Sequence, residues 1–141
     1  MSAAELSTHS QGITEKVSIL GEILRIYAQT RRRLRSGTLE STLAFLRALP
    51  PRSIAHDCDR VRLGLRLGRA TVRTLTPLPT DGRCLMRSLV LVGLLSRRGI
   101  AVELVLAVHP GERLASHAWV ELDGQPLLEP GAAPLERLIE L

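Results

Sequence analysis

The stretch 81–99, DGRCLMRSLVLVGLLSRRG, decides the fold. Thr80 or Asp81 can cap a helix that runs from about Gly82 to Arg98 and stops at Gly99, a residue free to take the left-handed conformation that ends helices. Between those limits the residues are apolar on most sides. A helix without a polar face has to be covered all round, so this one is expected at the centre of the molecule.

What flanks it sets the class. On the C-terminal side AVELVLAV (101–108) is rich in β-branched residues, HPGERLAS (109–116) is a turn-rich connector, and HAWVEL (117–122) followed by DGQPLLE (123–129) reads as strand, hairpin turn, strand. On the N-terminal side Ile13, Val17, Leu20, Leu24 and Tyr27 recur at steps of four and three, which marks an amphipathic helix closed by the basic run TRRRLRSG (30–37). Residues 1–12 are expected to be flexible. Leu39, Leu43, Leu46 and Leu49 place a second helix before Pro50 and Pro51. In DCDRVRLGLRLGRATVRTL (57–75), Val61, Leu63, Leu65 and Leu67 alternate like a strand, whereas Val61, Leu65, Gly68 and Val72 form a helical stripe; the length and a cap at Asp57 or Asp59 favour helix. TPLPTDG (76–82) is a loop. The expectation is one domain over 1–141, helical over 13–75, with the central helix and a β-meander over 80–141. This is an α+β fold, N-terminal helices plus a Cys-bearing helix packed on a small antiparallel sheet.

The bulk properties agree with a folded single domain. A chain of 141 residues, 45% hydrophobic and 23% charged, can bury one core. Aromatics are only 2%, so aliphatic side chains must fill it. No apolar run reaches the roughly 18 residues that span a bilayer. The first residues lack a basic stretch followed by an apolar one, so a cytoplasmic location is expected, and Cys58 and Cys84 are expected as free thiols. A net charge of +5 suits nucleic acid, an anionic membrane surface or an acidic peptide partner. Nucleic acid is not expected, because the chain has one Trp, one Tyr and one Phe to offer as stacking platforms. The cluster Arg31, Arg32, Arg33 and Arg35 is either a solvated helix end or a dock for an acidic surface.

Chemistry concentrates on Cys84 and His117. Cys84 falls in the first turn of the central helix, where unpaired N–H groups, the helix dipole, Arg83 and Arg87 all favour negative charge on sulfur. A small buried filler is the alternative reading of a Cys in an apolar helix. His117 begins a strand whose alternation sets His117, Trp119 and Glu121 on one face and Ala118, Val120 and Leu122 on the other. A His beside a Trp, opposite an apolar face, has the character of a site wall; a surface His at a strand end is the alternative.

CLMRSLVLVGLLSRRGI (84–100) followed by SHAWVELDG (116–124) resembles the transglutaminase-like cysteine peptidases of lasso peptide biosynthesis, the stand-alone B2 proteins. The resemblance covers about Arg83 to Glu129. It implies a transglutaminase-like or papain-like core and a Cys, His and acid triad that cuts the leader from a ribosomally made precursor peptide. It also implies a small leader-binding partner of the B1 type and an ATP-dependent cyclase, with neither cofactor nor metal. Cys84 then matches the nucleophile and His117 the general base. The family's acid lies after the Asp-Gly turn, at the position of Glu129, where Asp is commoner; Asp123 is the alternative, set at the hairpin tip.

Strand register bears on that choice. A two-residue turn at Asp123 and Gly124 would pair Ala118 with Glu129 and turn its carboxylate away from His117. A bulged turn one residue longer would pair Trp119 with Glu129, and this is the register expected if the carboxylate orients His117. Trp119, Arg83 and His109 are candidates for substrate contact. The backbone N–H of Cys84 is a candidate oxyanion donor. HDCD (56–59) has the look of a metal motif, but adjacent residues diverge on a helix and no second ligand pair follows, so a helix cap is expected there.

Overall fold

The computed structural model describes residues 3–52, 59–78, 83–108, 116–129 and 136–141. Its helices are α1 (Ala3–Ser36), α2 (Leu39–Arg47), α3 (Arg60–Leu75) and α4 (Arg83–Arg97), followed by strands β1 (Glu103–Val108), β2 (Ser116–Leu122), β3 (Gln125–Pro126) and β4 (Glu136–Glu140). The strands form one antiparallel sheet in the order β3-β2-β1-β4. This is the expected α+β class.

The apolar central helix is α4. Every residue from Ser88 to Leu95 is buried, with α1, α2 and α3 packed around it and the sheet beneath. Gly93 permits that closeness: a Cβ there would stand 3.0 Å from Ile26 of α1 and 3.1 Å from Leu46 of α2. Gly99 ends the helix segment at φ 72°, as its position predicts. The residues that would cap its start, Thr80 and Asp81, lie outside the described residues, as do Asp57 and Cys58. Ala118, Val120 and Leu122 of β2 and Leu104 of β1 face α4, while Val105, Ala107 and Trp119 make a smaller cluster on the other face of the sheet.

The ambiguous segment before the loop is helix. Asp59 caps α3, its carboxylate accepting from the N–H groups of Val61 and Arg62 at 3.0 and 3.3 Å. Its buried stripe is Gly64, Leu67, Gly68, Thr71 and Leu75, rotated from the stripe the leucines suggested. Two glycines four residues apart let α3 come close enough to bury that side. In α2, Thr38 and Ser41 form a reciprocal capping box.

The first helix begins at Ala3. Two expectations are corrected. The buried face of α1 is Ile19, Ile23, Ile26, Tyr27 and Thr30, so that of the expected stripe Tyr27 is covered, whereas Ile13, Val17, Leu20 and Leu24 are 51, 62, 44 and 40% exposed. α1 carries aliphatic residues on two adjoining strips, and periodicity alone does not choose between them. Second, the C-terminal residues 136–140 form β4, which pairs with β1 and not with β3, so the sheet is no simple meander. In the basic cluster, Arg33 lies over the Phe45 ring at 4.0 Å and the remainder is solvated.

A charge cluster ties α1 to the end of α4. Glu22 is buried and accepts from Arg98 at 2.9 Å through each of its oxygens, and it also meets Arg97 and Arg52. Burial pushes its carboxyl up, but the hydrogen bond from Arg98 and the charges of Arg98, Arg52 and Arg97 together outweigh that, so it titrates below the ordinary value of 4.5. No helix among the described residues is long and apolar enough to cross a membrane.

Candidate active site

Cys84 is the second residue of α4 and is half-buried with a free thiol. Its amide belongs to the first turn, whose N–H groups have no carbonyl partner within the helix. The helix stands with this end over the start of β2, where His117 is placed. Cys84 and His117 together wall a cavity of about 270 Å³, completed by Val72 of α3, Arg87, Ala118, Leu128 and Glu129. Its lining is mainly apolar, with Cys84, His117, Arg87 and Glu129 as the residues that carry polar groups.

The His117 ring is held from behind. Its Nε2 lies 2.9 Å from the main-chain carbonyl oxygen of Glu129. A carbonyl only accepts, so Nε2 carries the proton and Nδ1 keeps the lone pair a general base needs. On its other side the Trp119 ring sits 5.9 Å away, tilted by 33°. Trp119 is in turn anchored by its indole N–H, which donates to the buried carboxylate of Glu121 at 2.8 Å.

The hairpin leading to Glu129 has the tighter of the two registers. Asp123 and Gly124 take φ 51° and 80°, Leu122 pairs with Gln125, and Glu121 pairs with Pro126. The Leu127 N–H donates to the Val120 carbonyl at 2.8 Å, which continues this register, and by the same count Glu129 falls beside Ala118. The bulged register with Glu129 beside Trp119 is not adopted. Asp tolerates the left-handed conformation, and a two-residue turn of this kind matches the twist of the strands better than a longer loop. Residue 129 nevertheless reaches His117, through its main chain. Asp123 is exposed at the tip of the turn.

The remaining candidates are dispersed. Trp119 is 4% exposed and packs with Val105 and Ala107, supporting the His117 ring without lining the cavity. Arg83 is exposed at the start of α4 and is not part of the wall. His109 lies outside the described residues.

Arg87, expected from the sequence as positive charge near Cys84, lies one turn after it on the same helix face, lines the cavity and donates from Nη2 to Thr76 at 3.0 Å. One contribution was not assigned from the sequence. Gly68 lets α3 press directly on the segment that holds His117: a Cβ there would stand 2.7 Å from the Leu127 carbonyl oxygen. The small-residue pair Gly64 and Gly68 is the signal that marks this contact. Among the described residues no group of His, Cys, Asp and Glu is arranged to hold a metal ion.

A family model described as transglutaminase-like superfamily, Transglut_core3, matches residues 24–140. Comparison with curated proteins and with solved structures returned no match.

Proposed function

We propose that this chain, which belongs to the transglutaminase-like superfamily, is a cysteine peptidase that removes the leader from a ribosomally synthesised lasso precursor peptide. The superfamily commonly holds cysteine-dependent enzymes. The observation that carries the reading is the shared cavity, in which the thiol of Cys84 and a His117 ring with its tautomer set by the Glu129 carbonyl face the same space.

In this reading His117 Nδ1 takes the proton from Cys84, and the sulfur attacks the carbonyl carbon of the scissile peptide. The oxyanion that forms lies at the start of α4, where the Cys84 N–H and the helix dipole stabilise it. Collapse breaks the C–N bond; the leaving amine takes the proton from His117, and the leader remains as a thioester on Cys84. A water then gives a proton to Nδ1 and its oxygen attacks the thioester, releasing the leader as a carboxylic acid and returning the proton to sulfur. The orienting place of the triad's third member is taken by the main-chain carbonyl of Glu129, in place of the carboxylate of Glu129 or of Asp123. A leader-binding partner and a cyclase that consumes the freed core amine complete the proposal.

The test is incubation with a lasso precursor in the presence of its leader-binding partner, followed by mass analysis. Two fragments whose masses sum to the precursor plus one water are expected, and none with Cys84→Ala. Cleavage by Cys84→Ala at the wild-type rate would sink the peptidase reading, while a product carrying an added amine would mark acyl transfer. Glu129→Gln separates the two ways residue 129 can act. It retains the carbonyl, so its loss is expected to be about tenfold or less, against the roughly 10³-fold or greater loss for His117→Ala.

A further inference from the structure

We infer that the groove between the first half of α1 and α3 is a docking site for an acidic amphipathic helix of a partner protein. The contacts of α1 with α4 fix how this surface arises. Glu22 meets Arg98 at the C-terminal end of α4, and Ile26 meets Gly93 one turn back, so the two helices run antiparallel. The α1 residues before Glu22 have therefore passed the end of α4. Among the described residues, α3 stands beside them, joined by the Arg66–Glu15 ion pair at 2.9 Å, and Arg52 donates to Ser18 at 2.9 Å.

That overhang leaves a groove of about 400 Å³ with Leu20, Ile23 and Ala70 in its floor. Leu20 continues it onto the exposed strip of Ile13, Val17 and Leu24, four aliphatic side chains at helical spacing with nothing packed over them among the described residues. A continuous apolar strip of this kind on a helix that has lost its packing partner is the signature of an interaction surface. Its length and its spacing fit the apolar face of another helix laid alongside.

The rim supplies the charge of the occupant. Lys16, Arg66, Arg69 and Arg73 line the groove. Among the described residues Glu15 is the one carboxylate paired with any of them, and Lys16, Arg69 and Arg73 have no ion pair. Aliphatic residues on one face and Asp or Glu along its borders therefore complement the groove. A second copy of this chain does not, since self-pairing sets these cations against their own kind. A bilayer does not either, because the floor is recessed between two helices and a flat surface cannot reach it. The inference does not rest on the chemistry proposed for Cys84, which is not among the residues lining the groove.

The experiment is selection of a display library of short helical peptides on the full-length protein, followed by fluorescence anisotropy with the enriched peptide. Acidic and aliphatic residues at helical spacing are expected in the enriched sequences, with binding that weakens as salt rises. Arg69→Glu with Arg73→Glu, and separately Val17→Asp with Leu20→Asp, should each weaken binding by about tenfold or more. All four positions lie at the surface, so an unchanged circular dichroism spectrum is expected and verifies folding. Arg69→Gln with Arg73→Gln should give a smaller loss, which distinguishes charge from fold. Enrichment of basic or featureless peptides, or binding indifferent to both pairs of substitutions, overturns the proposal. So does sedimentation with phosphatidylglycerol vesicles in the absence of peptide binding, or a dimer that Val17→Asp with Leu20→Asp dissolves.

Discussion

The helix α4 and the first half of α1 are both built from aliphatic residues at helical spacing, yet they end in opposite surroundings. From Ser88 to Leu95 no side of α4 meets water, whereas Ile13, Val17, Leu20 and Leu24 of α1 stay open to it. Their intrinsic hydrophobicity does not explain the contrast. α4 has helices on one side and a sheet on the other, while α1 outruns α4 beyond Glu22 and there, among the described residues, meets α3 and the side chain of Arg52. An apolar strip reports that something covers it; the topology decides whether the cover lies within the chain.

The seam between the two regions is Glu22, and breaking it should have the largest effect. Glu22→Gln leaves Arg98 buried without a charge partner and is expected to destabilise by about 3–5 kcal/mol, measured by denaturant unfolding. The same group sets a pH dependence. Because its carboxyl is held below the ordinary 4.5 in the folded chain, the unfolded chain binds the proton first as pH falls. Its contribution is complete above the ordinary value and is lost as pH drops through the lowered folded value. The unfolding free energy of wild type should thus fall more steeply below about pH 4.5 than that of Glu22→Gln.

On the covered side, Leu94→Ala opens a cavity where no side chain can collapse from solvent, and about 2–5 kcal/mol is expected. Gly68→Ala tests how the covered side supports the site. Its Cβ meets the Leu127 carbonyl oxygen, a backbone atom that cannot swing away. A loss of about 1–3 kcal/mol is expected. Displacement of Leu127 also carries Glu129 away from His117, so under the proposed peptidase reading cleavage should fall with little change in leader affinity. A variant that loses stability but cleaves at the wild-type rate would uncouple α3 from the ring.

Much of this layout could be read in the chain because local rules and global packing agree there. α4 has one solution, burial; Gly99 ends it as its freedom of φ allows, and Asp59 caps α3. The reading failed where two local solutions were nearly equal. The strip from Ile13 to Leu24 and the strip from Ile19 to Thr30 both have helical spacing, and only the antiparallel seating against α4 separates them. The hairpin could close with or without a bulge, and an expectation drawn from the triad favoured the bulge over the ordinary Asp-Gly turn. Residues 136–140 were missed because ERLIE has neither strict alternation nor a turn signal before it; its strand identity comes from pairing with β1. At the site, Cys84 and His117 were legible as residue types, while the link from residue 129 was not, because a main-chain carbonyl carries no sequence signal.

The smallest effect belongs to the open region and sharpens the contrast most. Val17 is 62% exposed, so Val17→Ser removes little surface that folding has withdrawn from water. Its unfolding free energy should stay within about 0.5 kcal/mol of wild type, against the several kcal/mol expected for Leu94→Ala. If the α1–α3 groove takes an acidic helix, this same variant should weaken that binding while leaving stability alone. Stability and binding then separate by face along one helix: the strip of Ile13, Val17, Leu20 and Leu24 serves association, and the face of Ile19, Ile23 and Ile26 serves the core. A stability loss at Val17 as large as that at Leu94 would mean that the chain itself covers the strip, and the contrast between the two helices would disappear.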